Sequence, residues 1–259
     1  MVGSLWTAAE RPDAGSIVSR SVQANAKDFK AAPGYDYSER DRVAGGTRTY
    51  RVLMIEGSPY QELTMVNQQP LAPDLQAEEQ RKLDQTIAQR RTESPAAKAQ
   101  RVAKYNKQRT RNQLLLNQLA LAFKFKLIGE QQLGSRTVYA IQAIPRPGYV
   151  PPNREAQVLT GMHGKLWIDT ATYQWVKVEA EVTHPVWIGG FLAKVMPGTR
   201  FELEYSPVSG NIWLPSHYSM KSRARVLFLF SSGQQDDETY FDYAKSPRAA
   251  PNVESGEIR

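Results

Sequence analysis

The sequence predicts an α+β fold that is mainly antiparallel β, with one meander sheet, an N-terminal helix and an inserted helical hairpin. Segments rich in β-branched and aromatic residues fill 35–67 and 125–243. Turn signals such as Gly45-Gly46 and Ser209-Gly210-Asn211 separate them, and a helical pattern interrupts the series once, between 74 and 123. Because short turns join consecutive strands, we expect nine or ten strands in an antiparallel meander.

The helical segments are recognised by their caps. The stretch 12–29 has Asp13 or Ser16 as a cap and a sparse apolar stripe that begins at Ile17. The first arm of the hairpin follows a proline and runs over 74–92, and the second begins at Ser94-Pro95. The second arm turns strongly apolar from Leu114, so its end is expected to pack on the sheet.

These elements predict a single domain over 12–245, with the hairpin inserted at about 74–113 and a disordered tail over 246–259. The tail has too few apolar side chains to order itself. The hairpin also has few large apolar groups. We therefore expect it to be an accessory element outside the folding core.

The positive charge is concentrated in the hairpin. Residues 78–112 hold ten Lys or Arg against four acids, which accounts for +6 of a net charge of +7. Lys98, Arg101, Lys104 and Lys107 recur three apart and form a stripe on one helix face. A single aromatic residue and no known motif argue against nucleic acid as the partner. An anionic membrane surface, a partner protein or a solvated face all remain open.

No catalytic or cofactor-binding grouping is recognisable. The chain has no cysteine, which excludes disulfides, thiolate metal sites and cysteine nucleophiles. His163, His184 and His217 lie on separate predicted strands without metal-ligand spacing. The pairs Glu179/Glu181 and Glu202/Glu204 could serve acid–base chemistry, but alternation is more typical of a solvent-facing row. We expect a protein without enzymatic activity and without a cofactor or metal.

The high content of apolar residues in the predicted strands is the strongest indication of a function. The segment "VLFLF" (226–230) is apolar at every position, as expected for a strand covered on both faces. One sheet with two apolar faces encloses either an ordinary core or an apolar cavity. For the cavity, the candidate wall residues are Trp175, Trp187, Phe191, Met220 and Phe228.

Four segments resemble the bacterial periplasmic outer-membrane lipoprotein-sorting proteins, the LolA/LolB-like superfamily. They are "GKLWID", "WVKVEAEV" after a turn, "GNIWLPSHYSM" and the terminal "YFDY". The resemblance implies a curved, unclosed half-barrel with helices on its concave face and a hydrophobic cavity that takes acyl chains. It also implies a periplasmic location, although the first residues show no signal peptide.

The leading functional hypothesis is therefore a non-enzymatic periplasmic protein that binds a lipid or an acylated partner in the half-barrel. The alternative is an interaction module with a self-filled core, which docks on a protein or membrane surface through its basic hairpin. An enzyme that acts on a lipid-like substrate ranks third, because no nucleophile–base pair is visible.

Overall fold

A computed structural model describes residues 12–43, 45–188, 193–226 and 230–248. The chain divides into two compact units. Unit 1 contains the residues up to Asp28 and Asn112–Asp237. Unit 2 contains Phe29–Arg111 and the residues from Glu238 onward.

The described residues form three α-helices, two short 3-10 helices (Ala32–Gly34 and Glu155–Gly161) and thirteen strands. The helices are α1 (Ala14–Ala31), α2 (Pro73–Thr92) and α3 (Pro95–Ala122). The strands are β1 (Tyr35–Val43), β2 (Gly46–Ile55), β3 (Ser58–Val66), β4 (Gln69–Pro70), β5 (Phe123–Leu133), β6 (Arg136–Pro145), β7 (Met162–Asp169), β8 (Trp175–Val182), β9 (Val186–Ile188), β10 (Ala193–Val195), β11 (Arg200–Ser209), β12 (Ile212–Val226) and β13 (Phe230–Lys245).

The predicted fold class is confirmed. In unit 1, β5 to β8 pair in chain order, and β11, β12 and β13 continue the sheet beyond β8. In unit 2, β4, β3, β2 and β1 follow one another, and the last part of β13 pairs with β1. The pairings whose register is described are antiparallel. Among the described strands the order is linear and does not close, which is consistent with an unclosed half-barrel.

Three sequence-based expectations differ from the structure in detail. The strand count exceeds nine or ten because β4, β9 and β10 are very short. The predicted turn at Ser232-Gly233 is wrong, since both residues lie inside β13. Ser246, expected in the tail, donates its backbone N–H to the Gly34 carbonyl at 2.8 Å. The remaining tail, 249–259, lies outside the described residues.

The core of unit 1 forms where α1 packs on one face of the strands. Ile17 and Val18 of the helix are buried against residues of β5 to β8. The end of α3 joins this core through Leu119 and Ala122, as its apolar sequence predicts. Burial of these side chains is the main force that holds α1 on the sheet.

The hairpin contributes to the folded core of unit 2, contrary to the expectation of an accessory element. Leu83 of α2 is buried against Leu53 and Ile55 of β2. Arg90 donates to the carbonyl oxygens of Ile55 at 3.0 Å and Ser58 at 2.8 Å. Sequence reasoning missed these contacts because one leucine and one arginine suffice to dock a helix that is otherwise polar.

Substituting Leu83 by Ala should destabilise unit 2 by about 2–4 kcal/mol, since a buried leucine leaves a cavity when truncated. Leu75→Ala on the same helix is the matched control, because Leu75 is 50% exposed and should cost less than about 0.5 kcal/mol. Urea unfolding followed by circular dichroism measures both. If both substitutions lower the free energy of unfolding by equally small amounts, the hairpin is an accessory element after all.

Candidate functional site

Trp175 lies beneath α1 in the core of unit 1. Its side chain is fully buried and its Nε1–H donates to Ser21 Oγ of the helix at 2.9 Å. Ser21 Oγ in turn donates to the Val18 carbonyl at 2.8 Å. The ring of Tyr205 meets Trp175 edge-on at 6.2 Å. Trp175 is therefore enclosed by the helix.

The buried side of α1 also carries polar residues. Ser21, Asn25 and Asp28 are buried at positions that recur every three or four residues, so they share one face of the helix. Asn25 donates to the Ser21 carbonyl at 2.8 Å, and Asp28 Oδ1 accepts the Trp213 N–H at 3.1 Å. Sequence reasoning missed these residues. The sequence feature that could have identified them is the row of polar residues within a helix that has few apolar residues on its stripe.

Asp28 is the residue of this row whose hydrogen-bonding capacity is least completely used. Its Oδ2 and the nearby Oε1 of Gln174 are buried and lack a hydrogen-bond partner among the described residues. Burial raises the pKa of Asp28 to about 6, and the Trp213 N–H and the Gln174 side chain partly offset that rise. Gln174 thus lies near enough to influence the carboxyl group without completing a hydrogen bond to Oδ2. An ionised Asp28 is costly in this position.

An apolar strip continues the helix-bearing face beyond α1. It is defined by two rows of directly paired residues on β8, β11 and β12, and each of its side chains is only partly buried. The rows are Ala180–Phe201–Met220 and Val178–Leu203–Tyr218. Ala180, Val178 and Phe201 touch the buried core. Partly exposed apolar side chains in register on three neighbouring strands form a continuous surface for an apolar ligand.

The opposite face of the same strands is charged and holds a cavity of about 630 Å³. Two rows of paired residues line it, and by strand alternation their side chains point away from the apolar strip. The rows are Gln142–Lys165–Glu179–Glu202–Ser219 and His163–Glu181–Arg200–Lys221. Phe201 and Met220 lie between these two rows and contribute to the floor of the cavity.

Lys177 forms ion pairs with three of the four carboxylates of the Glu179/Glu181 and Glu202/Glu204 pairs. Its Nζ lies 3.0 Å from Glu179, 2.7 Å from Glu202 and 3.3 Å from Glu204. Although burial lowers the pKa of Lys177, hydrogen bonds to Glu202 and Glu179 outweigh it and raise the pKa. The hydrogen bond from Lys177 lowers the pKa of Glu202. A lowered pKa favours the ionised form of Glu202, and ion pairing of this kind suits a solvated polar row better than general acid catalysis.

The three predicted wall residues that the structure describes lie in different settings. Trp175 is core, Met220 belongs to the apolar strip, and Trp187 on β9 is exposed with Lys194 Nζ 4.8 Å from its ring. Phe191 and Phe228 lie outside the described residues. Leu203 and Tyr218 were missed because a cross-strand row becomes visible only once the register is known.

The basic stripe of the hairpin splits into two kinds of residue. Arg101 forms an ion pair with Glu93 and donates to Ser58 Oγ at 2.6 Å, and Lys98 pairs with Glu56 at 2.5 Å. Lys104 and Lys107 are exposed. Two of the four residues predicted to contact an anionic surface therefore make contacts inside unit 2.

Two of the three histidines, His163 and His184, share a local hydrogen-bond cluster in unit 1, whereas His217 Nε2 lies 3.3 Å from Asp237 Oδ1. Thr183 Oγ1 lies 2.7 Å from His163 Nδ1 and 3.0 Å from His184 Nδ1. Within the described residues, no three His, Asp or Glu side chains are grouped so that they could hold a metal ion. No helix in the described part of the chain is long and apolar enough to cross a membrane.

Comparisons with known proteins find similarity at the level of structure. No known family profile matches the chain. No curated protein matches it either. Among solved structures, the chain is similar to an outer membrane lipoprotein-sorting protein domain from Vibrio parahaemolyticus, with 11% identity, a TM-score of 0.34 and coverage of 91% of this chain and 96% of that one.

Two further structures are similar at the same level. A LolA superfamily protein from Nitrosomonas europaea has 11% identity and a TM-score of 0.32, with coverage of 90% of this chain and 93% of that one. The MucA/MucB complex of Pseudomonas aeruginosa has 11% identity and a TM-score of 0.27, with coverage of 91% and 99%. The lipoprotein-sorting family that the sequence resembles is thus among the similar structures.

Proposed function

We propose that this protein is a non-enzymatic periplasmic binding protein that holds a lipid or an acylated partner against the apolar strip. The observation that supports the proposal is the pair of in-register apolar rows, left partly exposed beside a filled core. An acyl chain gains free energy from each apolar side chain that it covers, roughly 25 cal/mol for each Å² removed from water. The periplasmic location rests on the family resemblance of the sequence.

The double variant Leu203→Gln/Met220→Gln tests this proposal. Both side chains belong to the apolar strip and neither is fully buried, so the fold should survive. Binding of a fluorescent fatty-acid analogue should weaken roughly tenfold or more, because two apolar contacts are replaced by polar groups. Titration of the probe against purified protein measures the change.

The matched control is the double variant Ser219→Ala/Lys221→Gln. These residues flank Met220 on β12 and their side chains point to the charged face. Probe affinity should stay within about twofold of the parent protein. Equal losses in both double variants, or a parent protein that neither binds the probe nor co-purifies with lipid in native mass spectrometry, would refute an acyl-binding strip.

An interaction module that docks through the hairpin is the second candidate. The exposed side chains of Lys104 and Lys107 favour it, since they leave two cations of α3 open to a partner. Lys98 and Arg101 support it less, because their charges are already paired.

A further inference from the structure

One end of the sheet in unit 1 gathers exposed aliphatic side chains. Leu121 near the end of α3 is 58% exposed, Ile144 near the end of β6 is 41% exposed, and Val150 in the following loop is 81% exposed. The loop and the helix end are joined, because the Arg146 N–H donates to the Ala122 carbonyl at 2.7 Å. Three large apolar groups at one edge are not explained by the core or by the apolar strip.

The loop holds Val150 in a stiff segment. The sequence "PRPGYVPP" has four prolines in eight residues, which restrict the backbone. Tyr149 ties the loop to α3, because its hydroxyl donates to Gln118 Oε1 at 2.9 Å. An exposed valine on a restrained loop loses little conformational entropy when it is buried by a partner.

Cations surround these aliphatic groups. Lys124 and Lys126 of β5 are exposed, and no hydrogen bond or ion pair of their side chains occurs within the described residues. Lys124 is paired with Ile144 across the strands, so their side chains share one face. Arg146 is also exposed. Glu130 is the only acidic residue between 113 and 153, and it lies about 20 Å along β5 from Lys124.

Trp187 lies at the same end of the sheet. The register pairs Phe123 with Pro145 and Met162 with Val182, so β5 and β7 begin where β6 and β8 end. β9 follows β8 at that end and presents the exposed Trp187, with Lys194 over its ring. Tryptophan next to lysine is typical of side chains that sit at a membrane–water interface.

We propose that this end of unit 1 is a docking surface for an anionic lipid bilayer, with Leu121, Ile144 and Val150 as the inserting groups and Lys124, Lys126 and Arg146 as the phosphate-facing groups. Charge complementarity selects the bilayer as the occupant. Lys124 and Lys126, which form no ion pair among the described residues, attract anionic headgroups, while short aliphatic side chains enter the acyl boundary. This surface is distinct from the apolar strip, and the proposal does not depend on ligand binding there.

The variant Lys124→Gln/Lys126→Gln tests the electrostatic half of the proposal. Binding to vesicles of phosphatidylglycerol mixed with phosphatidylcholine should weaken about 25-fold, or roughly fivefold for each cation removed. Lys104→Gln/Lys107→Gln removes the same charge from exposed positions of α3 and should change binding by less than about twofold. Vesicle sedimentation at low and physiological salt measures both variants.

The variant Ile144→Ser/Val150→Ser tests the apolar half. It should weaken vesicle binding at least about tenfold while leaving fatty-acid analogue binding unchanged, because two inserting side chains are lost. Met65→Ser/Val66→Ser is the control, since it removes two apolar side chains that are 37% and 39% exposed on β3. The proposal is overturned if the hairpin variant loses binding and the Lys124/Lys126 variant does not. It is also overturned if the parent protein fails to bind anionic vesicles at low salt.

Discussion

The Trp175→Ala variant is expected to lose about 3–5 kcal/mol of stability in unit 1. Trp175 is fully buried between α1 and the strands, so truncation removes a large apolar surface and leaves a cavity. The lost hydrogen bond is a smaller part of the cost. Ser21 Oγ still donates to the Val18 carbonyl after Trp175 Nε1 is removed, so no buried proton is stranded.

Two companion variants separate packing from hydrogen bonding. Trp175→Phe removes the N–H but keeps much of the ring volume, and should cost about 1–2 kcal/mol. Trp187→Ala removes an exposed indole and should cost less than about 1 kcal/mol. Urea unfolding with hydrogen exchange of the α1 amides follows unit 1 specifically. Comparable losses for Trp175→Ala and Trp187→Ala would mean that Trp175 is not central to the core.

Helix boundaries could be predicted well because capping is local. The predicted arms over 74–92 and from Ser94-Pro95 agree closely with Pro73–Thr92 and Pro95–Ala122. A proline at the first helical turn encodes such a boundary without reference to the rest of the chain. Regular strands with alternating residues, such as Arg200–Ser209, were predicted for the same reason.

The location of the apolar strip could not be predicted, because it depends on strand register. Met220 was recognised as a wall residue, yet its neighbours Phe201 and Leu203 became candidates only when β11 and β12 were aligned. The misplaced turn at Ser232-Gly233 has a different origin. A glycine is tolerated inside a strand, so a turn signal next to an apolar run does not by itself end the strand.

The role of Asp28 also escaped prediction, since the effect of burial on an acid depends on tertiary contacts. In sequence, Asp28 is an ordinary polar residue near the end of a helix. In the structure it is buried, accepts one backbone N–H and faces Gln174. This position makes the stability of unit 1 dependent on pH.

Replacing Asp28 by Asn should stabilise the protein at pH 7 by about 2–3 kcal/mol. Burial raises the pKa of Asp28 from 3.8 to about 6 in the folded protein. The folded state therefore binds more protons than the unfolded state between pH 4 and 6, and stability falls as the pH rises through that window. The amide keeps an oxygen for the Trp213 N–H and carries no charge that burial would penalise.

Unfolding free energies of the parent and the Asp28→Asn variant, measured by urea titration from pH 4 to 8, test this expectation. The advantage of the variant should be small near pH 4, where Asp28 is protonated in the folded state, and complete above pH 7. Asp84→Asn on α2 is the control, because it makes the same change from carboxylate to amide at an exposed position of unit 2. If the parent and the Asp28→Asn variant have parallel profiles, Asp28 is ionised without penalty and the α1 interface is not sensitive to pH. If the unfolding free energies of the parent and the variant become equal only toward pH 4, the charge on Asp28 destabilises the contact between α1 and Trp213 at neutral pH.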